Sequence, residues 1–257
     1  MVNSYKIKLA KRYSDLLKNV LDDNLISTLL YGSVVRNEDN ESSDIDLMAI
    51  VNKSPAAEQL KILGESGRFN EIKGFGDFKD ISCAILTQDN FLNLLELGAP
   101  REAVNPLREA VVLLDTGFIE GLKKQLEDGY ISLRKDAYRD YLRYGDIRRS
   151  YLMRSIENED LEAARSDAAA AASHYLRAYF FCETGEMIVS KRAMVERIHE
   201  GCPGIASVYD RVFGGELDVD VVLDLLDEIR EWVIEHVFDM KKPQMNTDER
   251  RYWNNYY

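Results

Sequence analysis

Apolar positions recur at helical spacing near the amino terminus. Ile7, Ala10, Tyr13, Leu17, Val20 and Leu21 share one side of a helix over 4–21. Two apolar runs rich in β-formers follow, "LISTLLY" (25–31) and "DLMAIV" (46–51), and both predict buried strands. Ser54-Pro55 then predicts a helix reaching about Leu63, with serine as cap and proline in the first turn. The stretch "SGRFNEIKGFGDFK" (66–79) is Gly-rich and has no clear period. "DISCAILT" (80–87) and "VVLLD" (111–115) predict a third and a fourth strand, with helical pieces at 88–96 and 101–109. This order of helices and strands describes an α/β domain.

After Gly129 the pattern changes. From 133 to 239 β-favouring runs almost vanish and Pro203 is the only proline. Helices are predicted at 134–157, 159–183, 188–200, 204–213 and 218–238. The second contains "DAAAAASHYLRAYFF", whose alanines let neighbouring helices approach closely. The last carries Val221, Leu225, Ile229, Trp232 and Val233 on one stripe, as packing in a bundle requires. The domain boundaries read from this pattern are 1–128 and 129–240, with a polar, then aromatic tail over 241–257.

Composition narrows the function classes. The 257 residues are 46% hydrophobic, ample for a core, and 30% charged, with a formal net charge of -12 and a pI near 4.9. A surface this acidic argues against broad binding to nucleic acid or to an anionic membrane, but not against a local pocket for a phosphorylated small molecule. Cys83, Cys182 and Cys202 lack the spacing of a zinc site or a disulfide framework. "MVNSYKIKLAKRY" has no signal-type apolar segment and no run is long enough to span a bilayer, so a cytoplasmic location is the expectation.

The candidate chemistry lies between the first two strands. The chain reads Gly32-Ser33, ten residues, then Asp44-Ile45-Asp46-Leu47. Alternation along a strand points Asp44 and Asp46 to one face while Ile45 enters the core. Like charges so close repel, and a divalent cation relieves the repulsion; oxygen-only ligands suit Mg²⁺. Gly32 permits close backbone approach, and Ser33 offers a hydroxyl and an amide suited to phosphate. The bland alternative is an ordinary acidic strand–loop–strand.

These residues resemble the signature of the DNA polymerase β-like nucleotidyltransferase superfamily, and more narrowly its minimal and aminoglycoside nucleotidyltransferases. Arg36 in the loop and Ser43 before the first aspartate also match residues common there. The resemblance implies an α+β protein: an amino-terminal α/β domain with a small mixed sheet, then a helical bundle. It implies that Asp44 and Asp46 hold two Mg²⁺ ions, that Gly32, Ser33, Arg36 and Ser43 bind the nucleotide, and that a nucleoside monophosphate passes to a hydroxyl with loss of pyrophosphate. The donor expected is ATP or another nucleoside triphosphate, with AMP the group transferred; the hydroxyl acceptor, on a small molecule or a protein, is unidentified. The family's third carboxylate would come from the strand at 80–87. Asp80 is the candidate, Ser82 stands where spacing would place it, and Glu71 and Asp77 compete. Without it, the chain fits a nucleotide-binding regulatory or antitoxin-like protein with a degenerate site.

In the helical half, Arg134, Lys135, Arg139, Arg143, Arg148, Arg149 and Arg154 alternate with tyrosines. They read either as a wall for triphosphate or, more simply, as a face paired with Asp136, Asp140 and Asp146. Arg192 and His199 loosely resemble the Arg–His element of HEPN ribonucleases. His174, among alanines, reads as a core histidine, and His236 shows no obvious partner. The aromatic tail reads as a partner-binding strip, a dimer contact or itself a modified segment, which leaves a homodimer open.

Overall fold

A computed structural model describes residues 4–39, 43–66, 71–74, 76–185, 188, 190–213 and 219–241. The expected tail, from 242 onward, lies outside the described residues. The chain divides into two compact units, Met1–Arg134 and Lys135–Tyr257.

The first unit is α/β. Helix α1 (Ser4–Leu21) precedes β1 (Leu25–Tyr31), the short helix α2 (Ser33–Arg36) and β2 (Ile45–Val51). Then come α3 (Ala57–Leu63), β3 (Glu65–Ser66), β4 (Glu71–Lys73), β5 (Ile81–Thr87) and α4 (Gln88–Glu96). A wide π turn (Pro100–Val104), α5 (Asn105–Glu109), β6 (Val111–Asp115) and α6 (Phe118–Glu127) complete it. The mixed sheet runs β3-β4-β5-β2-β1-β6; β2 and β5 are parallel and every other pair is antiparallel.

Each central strand is buried on both sides, which is why its sequence reads as a continuous apolar run. Ile45, Leu47, Ala49 and Val51 of β2 pack with Leu9, Ala10, Tyr13 and Leu17 of α1. Met48 and Ile50 face the opposite side, with Phe91 and Leu95 of α4, Leu107 of α5 and Ile119 and Leu122 of α6. Asp46 belongs to this second face by alternation, so its carboxylate lies at the end of the sheet on the α4–α6 side.

Helix starts differ from expectation for local reasons. α3 begins at Ala57 rather than beside Ser54, because the Gln59 side chain accepts the Ala56 amide. The helix expected over 101–109 divides into the π turn and α5; Pro106, in the first turn of α5, has no amide to donate. At α6, Asp115 accepts the amides of Ile119 and Glu120 and the Ser27 hydroxyl. Partial burial pushes the Asp115 carboxyl up, but these donors and the Gly117 amide outweigh it and hold it below its ordinary value.

The second unit is all helix: α7 (Tyr138–Glu157), α8 (Leu161–Thr184), α9 (Lys191–Gly201), α10 (Pro203–Phe213) and α11 (Val219–Lys241). The small residues act as expected: Ala164, Ala168, Ala171, Ala172 and Ala178 of α8 are buried. The seam of α11 is Val222, Leu225, Leu226, Ile229, Val233 and Val237, with Val221 and Trp232 at its margin. His174 is buried and packs near the Tyr141 and Tyr144 rings, and His236 stacks on Trp232 while its Nδ1 meets the Trp232 carbonyl at 2.7 Å.

α7 packs tightly on α8 at Gly145. A Cβ there would lie 2.2 Å from the Tyr175 ring, and the Tyr175 hydroxyl donates to Asp146 at 2.8 Å. Gly145→Ala is therefore expected to destabilise the protein although alanine favours helix by about 1 kcal/mol. The overpacking costs about 1–3 kcal/mol. Chemical denaturation checks it, and a gain in stability would refute this close crossing.

Candidate active site

The site is built where β1 ends and β2 begins. β1 and β2 pair Tyr31 with Asp46, so Gly32 directly follows the residue facing that carboxylate. Gly32 has φ +81° and ψ −155°, a conformation essentially reserved for glycine. A Cβ on Gly32 would meet Asp46 Oδ2 at 2.3 Å. The bare Cα thus makes room for the carboxylate, and Ser33 follows at the start of α2. Gly32, Ser33 and Asp46 are brought together as expected. Ile45 between the aspartates is fully buried.

Asp44, just ahead of β2, is more exposed and accepts an ion pair from Lys73 Nζ at 2.8 Å. The sheet register explains that contact. Lys73 pairs with Ser82, and Ser82 pairs with Asp46, so one row crosses β4, β5 and β2. Lysine and aspartates therefore meet at the same end of the sheet.

The position beside Asp46 on β5 is the nearly buried Ser82, not a carboxylate. Asp80 lies before β5 with an exposed side chain, and its carbonyl accepts the Ile45 amide at 2.8 Å. Asp77 meets Arg12 of α1 at 3.3 Å. The Glu71 side chain lies outside the described residues. Among the described residues no three of His, Cys, Asp and Glu group so as to hold a metal ion.

Two further residues shape the turn. Glu109, the last residue of α5, accepts the Gly32 amide at 3.0 Å and the Arg36 guanidinium at 2.9 and 2.8 Å. Arg36 also donates to Glu38. Burial alone would push the Arg36 pKa down; Glu38 and Glu109 hold it above its ordinary value. Arg36, expected at the nucleotide, is thus spread across two carboxylates and braces the turn. Lys6 of α1 reaches the far end of the loop: its Nζ lies 3.3 Å from Asp39 and 2.9 Å from the Ser43 carbonyl. Both side chains are under 10% exposed, 7% and 8%. Ser43 is therefore tied at its backbone, next to Asp44.

Glu109, Lys73 and Lys6 were missed in the sequence. Lys6 had a signal: it stands one turn before Ala10, on the buried stripe of α1. Glu109 and Lys73 had none, because only the folded chain brings them to the turn and to Asp44, from 77 and 29 residues away.

Of the basic residues at 134–154, Arg148 and Arg149 are ion-paired with acids on other helices rather than with Asp136, Asp140 or Asp146. Arg148 pairs with Asp167 of α8, and Arg149 makes two bonds to Asp227 of α11, at 2.8 and 2.7 Å. Arg230 of α11 returns to Asp146. The Arg149–Asp227 and Arg230–Asp146 pairs line a groove of about 710 Å³ in which acids balance the arginines. His199 meets Asp210 of α10 at 3.2 Å.

Solved structures that resemble this chain include two distant likenesses. One is a nucleotidyltransferase-like protein from Exiguobacterium sibiricum 255-15, at 12% identity and a TM-score of 0.38, over 90% of this chain and 77% of that one. The other is spectinomycin adenyltransferase AAD(9) from Enterococcus faecialis, solved with ATP and spectinomycin, at 18% identity and a TM-score of 0.43, over 89% of this chain and 100% of that one. No family model and no curated protein matches the sequence. Among the described residues no helix is long and apolar enough to cross a membrane.

Proposed function

We propose that the chain transfers a nucleoside monophosphate, AMP from ATP, to a hydroxyl acceptor. The observation that supports this reading is the fit of the Asp46 carboxylate against the bare Cα of Gly32, which sets that carboxylate beside a Gly-Ser turn, with Asp44 two residues before it. Asp44 and Asp46 are hard oxygen donors and would hold Mg²⁺, which would supply neutralising charge for a triphosphate. Gly32 and Ser33 would hold the terminal phosphates, with Ser43 positioned by Lys6. Glu109 and Arg36 keep the turn rigid, so the donors need no reorganisation when substrate arrives. In the reaction the acceptor oxygen bonds to the α-phosphorus, the bond to pyrophosphate breaks, and the hydroxyl proton passes to water.

A second reading, a nucleotide-binding regulator, is favoured by Ser82 where a third carboxylate would stand. Pyrophosphate release separates the two. With ATP, Mg²⁺ and a panel of hydroxyl acceptors, the enzyme reading expects turnover that drops about 10²–10³-fold in Asp44→Asn and in Asp46→Asn. ATP binding without Mg²⁺ and without turnover on any acceptor supports the regulator.

A further inference from the structure

Asp44 stands half exposed ahead of β2, yet its Oδ2 does not face water alone: the Lys73 ammonium lies 2.8 Å away. The sheet brings that lysine in. Lys73 on β4 pairs with Ser82 on β5, and Ser82 pairs with Asp46 on β2, so the ammonium arrives at the carboxylates across two strand pairings. An ammonium and a hard divalent cation seek the same carboxylate oxygens. With Lys73 in place, Asp44 already has a counter-ion of the protein's own.

We propose that Lys73 is the resting counter-ion of Asp44, and that it yields to a divalent cation most readily when a nucleotide takes up the ammonium. The proposal rests on the nucleotidyltransferase reading and deepens it, since it makes metal and nucleotide binding cooperative. Lysine carries its charge on a flexible stem, so the ammonium can leave Asp44 while β4 keeps its register on β5. A triphosphate offers the displaced ammonium other anionic oxygens; a bare cation offers none. The cation therefore binds more tightly beside the nucleotide, and by linkage the nucleotide binds more tightly beside the cation. The Lys73 and Asp44 side chains are 46% and 55% exposed, so water screens the pair and the competition is worth about 2–5-fold in metal affinity.

The test compares Mn²⁺ binding to the full chain with and without the α,β-methylene analogue of ATP, by electron paramagnetic resonance. In Lys73→Met, Mn²⁺ alone is expected to bind about 2–5-fold tighter than in the wild type. With the analogue present that gain is expected to vanish, because the wild-type lysine has then already left Asp44. Lys73→Arg keeps a cation and is expected to follow the wild type. Mn²⁺ bound tighter in Lys73→Met both with and without the analogue would reduce Lys73 to a local charge and overturn the exchange. Unchanged or weaker Mn²⁺ binding in Lys73→Met without the analogue would also overturn it. Either result leaves the nucleotidyltransferase reading standing, whereas no Mn²⁺ binding even with the analogue would overturn both.

Discussion

Gly32→Ala is expected to abolish nearly all nucleotidyl transfer while the protein still folds. The methyl would sit 2.3 Å from Asp46 Oδ2 and 3.1 Å from its Cγ, so the carboxylate must swing away from the turn. The backbone resists as well, because φ +81° with ψ −155° suits only glycine and costs a side chain about 1–3 kcal/mol. Turnover should drop about 10²–10³-fold, as when a preorganised charged group is removed. Steady-state kinetics with a denaturation curve on the same sample separate the two effects. Wild-type turnover in Gly32→Ala would mean that the glycine–aspartate contact has no part in the chemistry.

The second large effect is on stability. Lys6 and Asp39 form a pair almost closed to water, and Lys6 also holds the Ser43 carbonyl. Lys6→Met should cost about 3–5 kcal/mol, because it strips a buried carboxylate of its ammonium. The double variant Lys6→Met/Asp39→Asn should recover much of that loss, since a buried pair replaced together is far less costly than one broken. Urea unfolding of the three proteins measures it. A single variant within about 0.5 kcal/mol of the wild type would place Lys6 among ordinary surface residues.

The elements that were legible in the sequence are those whose burial is uniform. β1, β2 and β5 are covered on both faces, so Leu25–Tyr31, Ile45–Val51 and Ile81–Thr87 stand out as apolar runs. The long helices of the second unit announce themselves through alanines and apolar stripes. β3 and β4 did not, because strands of two and three residues in a Gly-rich stretch carry no period. α6 also escaped notice; its start is secured by Asp115 from the strand before it. Within the site, Gly32, Ser33, Asp44 and Asp46 were legible because their spacing is local. The charges that answer them are not local: Glu109 reaches the turn from α5, and Lys73 reaches Asp44 through two strand pairings. Arg36, expected among the nucleotide-binding residues, also meets two carboxylates that were invisible until the chain folded.

Calorimetric titration of ATP into the full chain, with and without Mg²⁺, tests the central claim most directly. Binding that requires Mg²⁺ in the wild type and disappears in Asp46→Asn is the predicted result. Equal affinity with and without the ion, unchanged in Asp46→Asn, would contradict it.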